Sequence, residues 1–180
     1  MIDPGHGGED PGAVVGDLRE KDLNLEISFI LKDLLVAAGF ITILTRDSDQ
    51  YVSLKNRISL ANKINGNLFI SIHNNASSTQ KAGGTETLFY PESKDGLMLA
   101  SIVQKELVKR LKRPNRGIKD RDDLYILKHT KMPAILIEIG FITNPTDRHL
   151  LKQVVYQKII AEGILAGIEY YWGNGVNGQQ

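Results

Sequence analysis

From Asp22 to Ala38 the apolar residues Leu23, Ile27, Ile30, Leu31, Leu34 and Leu35 recur at helical spacing and Gly39 follows. The pattern predicts an amphipathic helix with a glycine stop. "FITILTR" (Phe40–Arg46) then reads as a strand, "SLKNRISLANKIN" as a helix that begins near Ser53 and ends at Gly66, and "NLFISIH" (Asn67–His73) as a further strand. "GGTETLFY" (Gly83–Tyr90) sets Thr85, Thr87 and Phe89 against Glu86, Leu88 and Tyr90, the alternation of a strand with one face less buried. A helix from Asp95 to Lys112 precedes an irregular basic stretch, "KRPNRGIKDRDD", and a short strand, "LYILK". "PAILIEIGF" (Pro133–Phe141) is almost continuously apolar, as in a strand covered on both faces. Asn144 and Pro145 suit the cap and first residue of one final helix, along which Leu150, Leu151, Val154, Val155, Ile159, Ile164 and Ile168 fall at helical spacing.

Strands alternating with helices predict the α/β class: a single domain with a twisted, mostly parallel or mixed sheet of about six strands and helices on both faces. Residues 1–172 form the expected folded unit, and "GNGVNGQQ" (173–180) a tail or linker stub. Only Met1 and Ile2 precede the first glycine-rich loop, whereas strands usually run to ~5 residues, so the start is expected to be that of an excised fragment.

Composition removes several chemistries. The chain has 180 residues and no cysteine, which excludes thiolate catalysis, thiolate metal ligands and disulfides. A net charge of +1, with basic and acidic residues interspersed, predicts no nucleic-acid partner. No apolar run approaches the ~20 residues of a membrane span.

Ligands of open α/β sheets sit beyond the carboxyl ends of the strands. Three polar residues fall there: His6 in "MIDPGHGGEDPG", His73 at the end of "LFISIH", and Glu138 inside "AILIEIGF". A carboxylate in so apolar a run costs several kcal/mol unless it is paired or coordinated. The glycine-rich loop fits neither a dinucleotide fingerprint nor a phosphate loop, since Asp10 stands where a glycine would be required and no Gly-Lys-Ser/Thr follows. Two imidazoles and carboxylates at neighbouring strand ends are what a catalytic zinc requires: three protein ligands and an open position for water. For the third ligand, spacing leaves Glu20, Asp3, Asp10 and Glu9 as alternatives.

Eight blocks carry a resemblance: "DPGHGGEDPGA", "EKDLNL", "LTRDSD", "LKNRISLAN", "LFISIHNNA", "GGTETLFY", "NRGIK" and "PAILIEIGFITN". In this order, from Asp3 to about Tyr171, the chain resembles the zinc-dependent N-acetylmuramoyl-L-alanine amidases, in particular the catalytic domains of Gram-positive sporulation cell-wall hydrolases. The resemblance implies that His6, Glu20 and His73 hold one zinc ion per chain and that Glu138 is the catalytic acid/base. Glu20 as third ligand comes from the resemblance alone. The implied reaction is hydrolysis of the amide between the lactyl group of N-acetylmuramic acid and L-alanine in peptidoglycan. Arg57, Arg116 and Asn75 lie in matching blocks and are candidate substrate-binding residues, with structural roles as the alternative. The resemblance further implies secretion to the cell wall, and a monomer is expected. Relatives governed by activators carry an extra blocking helix, for which no spare segment exists between Glu86 and Glu138, so an open site is expected. A zinc peptidase acting within the stem peptide and a non-catalytic wall-binding module are the competing functions.

Overall fold

The computed structural model describes residues 1–173. In chain order its elements are β1 (Ile2–Pro4), β2 (Val14–Val15), β3 (Leu18–Arg19), α1 (Glu20–Ala37), α2 (Leu54–Ile64), β4 (Phe69–Asn75) and β5 (Thr85–Phe89). They continue with α3 (Lys94–Leu111), β6 (Asn115–Asp120), α4 (Tyr125–His129), β7 (Ala134–Phe141), α5 (Pro145–Leu151) and α6 (Val154–Tyr171). The main sheet has five strands in the order β1-β4-β7-β5-β6, and β2 and β3 form a separate hairpin. β1, β4 and β7 are parallel, β5 is antiparallel to β7, and β6 is parallel to β5. This is the expected single α/β domain with a mixed sheet. The amino end of β5 therefore lies beside the carboxyl end of β7.

Side-chain parity divides the sheet into two faces. Ile70 and Ile72 of β4 and Ile135, Ile137 and Ile139 of β7 join Leu23, Ile27 and Leu31 of α1, Leu99 and Val103 of α3, and Ile160 and Ile164 of α6 in the larger core. The other parity, Phe69, Leu88, Ala134 and Leu136, packs under α2 and α4 through Ile58, Ala61, Ile126 and Leu127. Helices thus cover both faces, one heavily and one thinly.

The main sheet has five strands, close to the expected number of about six. Phe40–Arg46 runs beside β1, but only Ile2 exchanges ladder bonds with it, donating to Ile43 O and accepting from Thr45 N. Its partner strand is three residues long, too short to extend a ladder. "LYILK" forms α4 rather than a strand: Ile126 and Leu127 are consecutive and both buried, which one helical turn permits and an alternating strand does not. The irregular stretch instead supplies β6, an edge strand whose mostly exposed residues leave no apolar alternation to read. The final helix divides into α5 and α6. Asn144 caps α5 as expected, accepting from Thr146 N and Asp147 N. β5 is buried along its whole length, where one less-buried face was expected. The predicted tail 173–180 lies outside the described residues apart from Gly173.

Candidate active site and metal centre

Parity sends polar residues to the thinly covered face. Ser71 and His73 share a face with Phe69 on β4, and Glu138 shares one with Leu136 on β7. Register then aligns His73 opposite Glu138, and Glu138 opposite Glu86 of β5. A histidine and two carboxylates stand side by side on adjacent strands.

The loop after β1 brings His6 to them, and buried cations hold that loop. Arg57 donates to Pro4 O, His6 O, Val52 O and Asp3 Oδ1. Arg46 donates to Pro4 O, Gly5 O, Lys21 O and Ser48 O, and Lys21 to Gly8 O and Asp49. Carbonyl groups that a tight turn strips from any ladder are thereby satisfied. His6 itself has φ 61, a left-handed conformation that costs a non-glycine residue energy and persists where surroundings enforce it. At Gly5 a side chain is excluded, because a Cβ would collide with the His73 imidazole.

Glu20 opens α1, delivered by the β2–β3 hairpin and 5% exposed. Its Oε2 accepts from Ala13 N at 2.9 Å, and its Oε1 accepts from Asn74 N at 3.1 Å and Asn24 Nδ2 at 3.3 Å. The helix amino terminus favours its negative charge. His6 Nε2 lies 3.2 Å and His73 Nδ1 3.0 Å from the same Oε1, and one donor atom from each of the three residues falls within 4.8 Å of the others. Asp10 Oδ2 lies 2.8 Å from His6 Nδ1, which orients the imidazole with Nε2 facing Glu20.

The electrostatics favour a cation between these groups. Burial opposes charge on His6, yet Glu20 and Asp10 outweigh it and raise its pKa to about 9. Burial likewise opposes ionisation of Glu20, but bonds to the two imidazoles hold its carboxyl far below the usual carboxylate range.

Glu138 behaves in the opposite way. Its Oε2 is buried with no hydrogen-bond partner. Burial pushes its pKa up to about 7; His73 and His6 counteract this, and the charges of Glu20 and Glu86 reinforce it. Neither Arg57 nor Arg116 pairs with it. A carboxyl group poised near neutrality can both take and return a proton at physiological pH.

Arg57 is 3% exposed and engaged by Asp3 and three carbonyl groups, which fits the structural alternative to substrate binding. Arg116 and Asn75 both bond Glu86: Arg116 Nε donates to Oε2 at 2.9 Å and Asn75 Nδ2 to Oε1 at 3.2 Å. Of the alternatives for third ligand, Asp3 is bound to Arg57, Thr45 and Ser71, Asp10 orients His6, and Glu9 is exposed. His129 and His149 are exposed. Sequence reasoning missed Glu86 and the orienting role of Asp10. A carboxylate on the Leu88 face of β5 was the available signal for the first.

His6 and His73, with Asp10, Tyr51, Tyr125 and Leu136, line a groove of about 400 Å³. Their side chains stay 24% and 18% exposed, so the donors are reachable. A larger apolar cavity of about 620 Å³ lies at the other end of β1 and β4, among Met1, Phe40 and Trp172, away from these groups.

A mixed α/β sheet with three converging donors that could hold a cation, beside an unpaired buried carboxyl group, is an arrangement that suits a hydrolase. The chain belongs to the N-acetylmuramoyl-L-alanine amidase family, whose sequence profile matches residues 1–170. It is an enzyme that hydrolyses peptidoglycan. The germination-specific N-acetylmuramoyl-L-alanine amidase of Bacillus subtilis (strain 168) is 36% identical over 185 residues, covering 95% of this chain and 78% of that protein. The crystal structure of an N-acetylmuramoyl-L-alanine amidase from Clostridium difficile 630 is similar with a TM-score of 0.92 at 38% identity, over 97% of this chain and 96% of that one. The CwlD amidase from Clostridioides difficile, solved in complex with the GerS lipoprotein, is similar with a TM-score of 0.92 at 37% identity, over 96% of each chain.

Proposed function

We propose that this amidase is a one-zinc enzyme in which His6, Glu20 and His73 hold the metal and Glu138 is the acid/base. The observation that carries the reading is the unpartnered Oε2 of Glu138 beside three converging donors. The donor set fits zinc: two imidazoles and one carboxylate, with donor atoms within 4.8 Å of one another, would hold the ion and leave a position for water. Zinc held there supplies a Lewis acid for the amide carbonyl and lowers the pKa of the attacking water to about 7.

The chain's own residues do the rest. Glu138 accepts a proton from the attacking water at its free carboxyl oxygen and returns one to the departing amine of L-alanine. Amines leave poorly as anions, so one group must serve as base and then as acid. Asp10, through Nδ1 of His6, holds the imidazole in the tautomer that leaves Nε2 free to bind. Two neutral imidazoles and one carboxylate leave the zinc site net positive, which favours a developing oxyanion.

All four groups come from one chain, which supports a monomeric enzyme. Peptidoglycan as substrate supports secretion and action in the cell wall as an autolysin. Among the described residues no helix is long and apolar enough to cross a membrane.

The test is hydrolysis of purified peptidoglycan by the wild type and by Glu138→Ala, following newly exposed N-terminal alanine and zinc content. The expected result is release by the wild type, with a loss of at least ~100-fold in a variant that keeps zinc. Equal activity of the variant overturns the acid/base role. Cleavage elsewhere in the stem peptide favours a peptidase, and zinc binding without cleavage a wall-binding module.

A further inference from the structure

Glu86 carries two cations: Arg116 Nε donates to its Oε2 at 2.9 Å and Lys119 Nζ to the same oxygen at 2.6 Å. Residues three apart on a regular strand point to opposite faces. Here the register slips, because Thr85 pairs with Asn115 but Thr87 with Ile118. Gly117, at φ 79, supplies the left-handed residue of this bulge. The bulge places Arg116 and Lys119 on one face. Lys119 stands opposite Leu88, whose side chain packs with Leu136 on the face of Glu138.

One carboxylate balances only one of these charges. Arg116 is its fitted partner, with the guanidinium 4.8 Å from the centre of the Phe141 ring beneath it. Asn75 holds the other oxygen of Glu86. Lys119 has a 44% exposed side chain and three N–H donors, one of them directed at Glu86. The neighbouring Arg121 is matched by its own Asp123. The cluster of Arg116, Lys119 and Glu86 thus carries one positive charge in excess, and Lys119 is its more exposed cation, at 44% against 35%.

Its distance from the reacting amide suits a specific group. Neighbouring strands are ~4.8 Å apart, so Glu86 is one spacing from Glu138, while the Lys119 backbone, level with Leu88 and Leu136, is two spacings across and two residues along, about 12 Å away, with its side chain reaching back to Glu86. An extended peptide covers ~3.3–3.6 Å per residue, so the second residue beyond the scissile nitrogen reaches about 7 Å.

We propose that Lys119, beside a Glu86 already neutralised by Arg116, binds a free carboxylate on the second residue of the stem peptide, so that the enzyme prefers an acidic second residue to its amidated form. This rests on the amidase reading of the site and adds the group by which the peptide is selected.

The experiment compares two muropeptides that differ only in a carboxylate or a carboxamide on the second residue, with kcat/KM measured for wild type, Lys119→Met, Lys119→Arg and Lys119→Glu. The wild type is expected to prefer the acid by at least about 10-fold, the range of a hydrogen bond to a charged group. Lys119→Met brings the ratio close to one, mainly through KM on the acidic substrate; Lys119→Arg restores the preference and Lys119→Glu reverses it. Cleavage at the expected amide with no preference in the wild type, or a preference that survives Lys119→Met, overturns the proposal. Product masses identify the amide cut, so cleavage elsewhere marks failure of the amidase reading itself and overturns the proposal by that separate route.

Discussion

His73 and Glu138 face each other across the parallel β4–β7 pair, on the sheet face that α2 and α4 cover only thinly. One partner converges on Glu20, while the other keeps a buried oxygen without a partner. The placement has a cost, because an unpaired polar atom withdrawn from water destabilises the fold by about 1–3 kcal/mol. On the proposed acid/base role, function and stability pull in opposite directions at Glu138.

Glu138→Gln keeps the shape of the side chain and removes its capacity to exchange a proton. Turnover is expected to fall by ~10²–10⁴-fold with zinc content unchanged. The melting temperature should stay level or rise, because the buried acid is relieved. Calorimetry beside the peptidoglycan assay checks both, and a variant that is inactive and markedly less stable would assign Glu138 to the scaffold.

Removing the metal should abolish hydrolysis, and zinc should restore it. The sharper test is Asp10→Ala, which leaves all three donors in place and removes only the carboxylate beside His6 Nδ1. An orienting partner of this kind is worth ~10–100-fold in metal affinity. Competition with a chelating indicator measures it, and unchanged affinity would show that Asp10 does not orient His6.

The parts of this fold legible in the sequence were those whose burial has a period. α1, α3 and β7 follow their apolar patterns to within two residues. β6 escaped because an edge strand of mostly exposed charged residues carries no such pattern, and α4 because five residues are too few to separate a helical turn from a strand. At the site, His6, His73 and Glu138 were legible as polar residues at strand ends. Glu20 needed the family resemblance, because its approach depends on the β2–β3 hairpin, two strands of two residues each. Glu86 was hidden by register: that it stands beside Glu138 follows from the antiparallel β5–β7 pairing, which no local pattern announces.

Arg57 is expected to act on stability rather than on substrate. Its ion pair with Asp3 is buried, at 2.8 Å, and breaking such a pair from one side costs about 3–5 kcal/mol. Arg57→Ala should therefore unfold at much lower denaturant, and Arg57→Lys should recover only part of the loss, because an ammonium cannot reproduce the guanidinium's fork. A variant of wild-type stability with a raised KM would return Arg57 to the substrate-binding role.

Glu86 gives the acid side of the stability profile a predicted shape. Burial alone would raise its pKa, but the bonds from Lys119 and Arg116 prevail and lower it. A carboxylate with a depressed folded-state pKa contributes stability that is complete above its unfolded value, about 4.3, and is lost as pH falls through the folded value. The wild type should thus exceed Glu86→Gln in melting temperature by a constant margin from pH 7 to about 5, and the margin should shrink as pH drops below about 4. Because Gln is neutral throughout, the narrowing isolates this carboxylate from the many others that titrate in the same range. Thermal unfolding of the two proteins across that range measures the difference directly. A margin that stays constant down to pH 3 would mean that the two cations do not stabilise the ionised form, and would remove the charge balance on which a surplus at Lys119 depends.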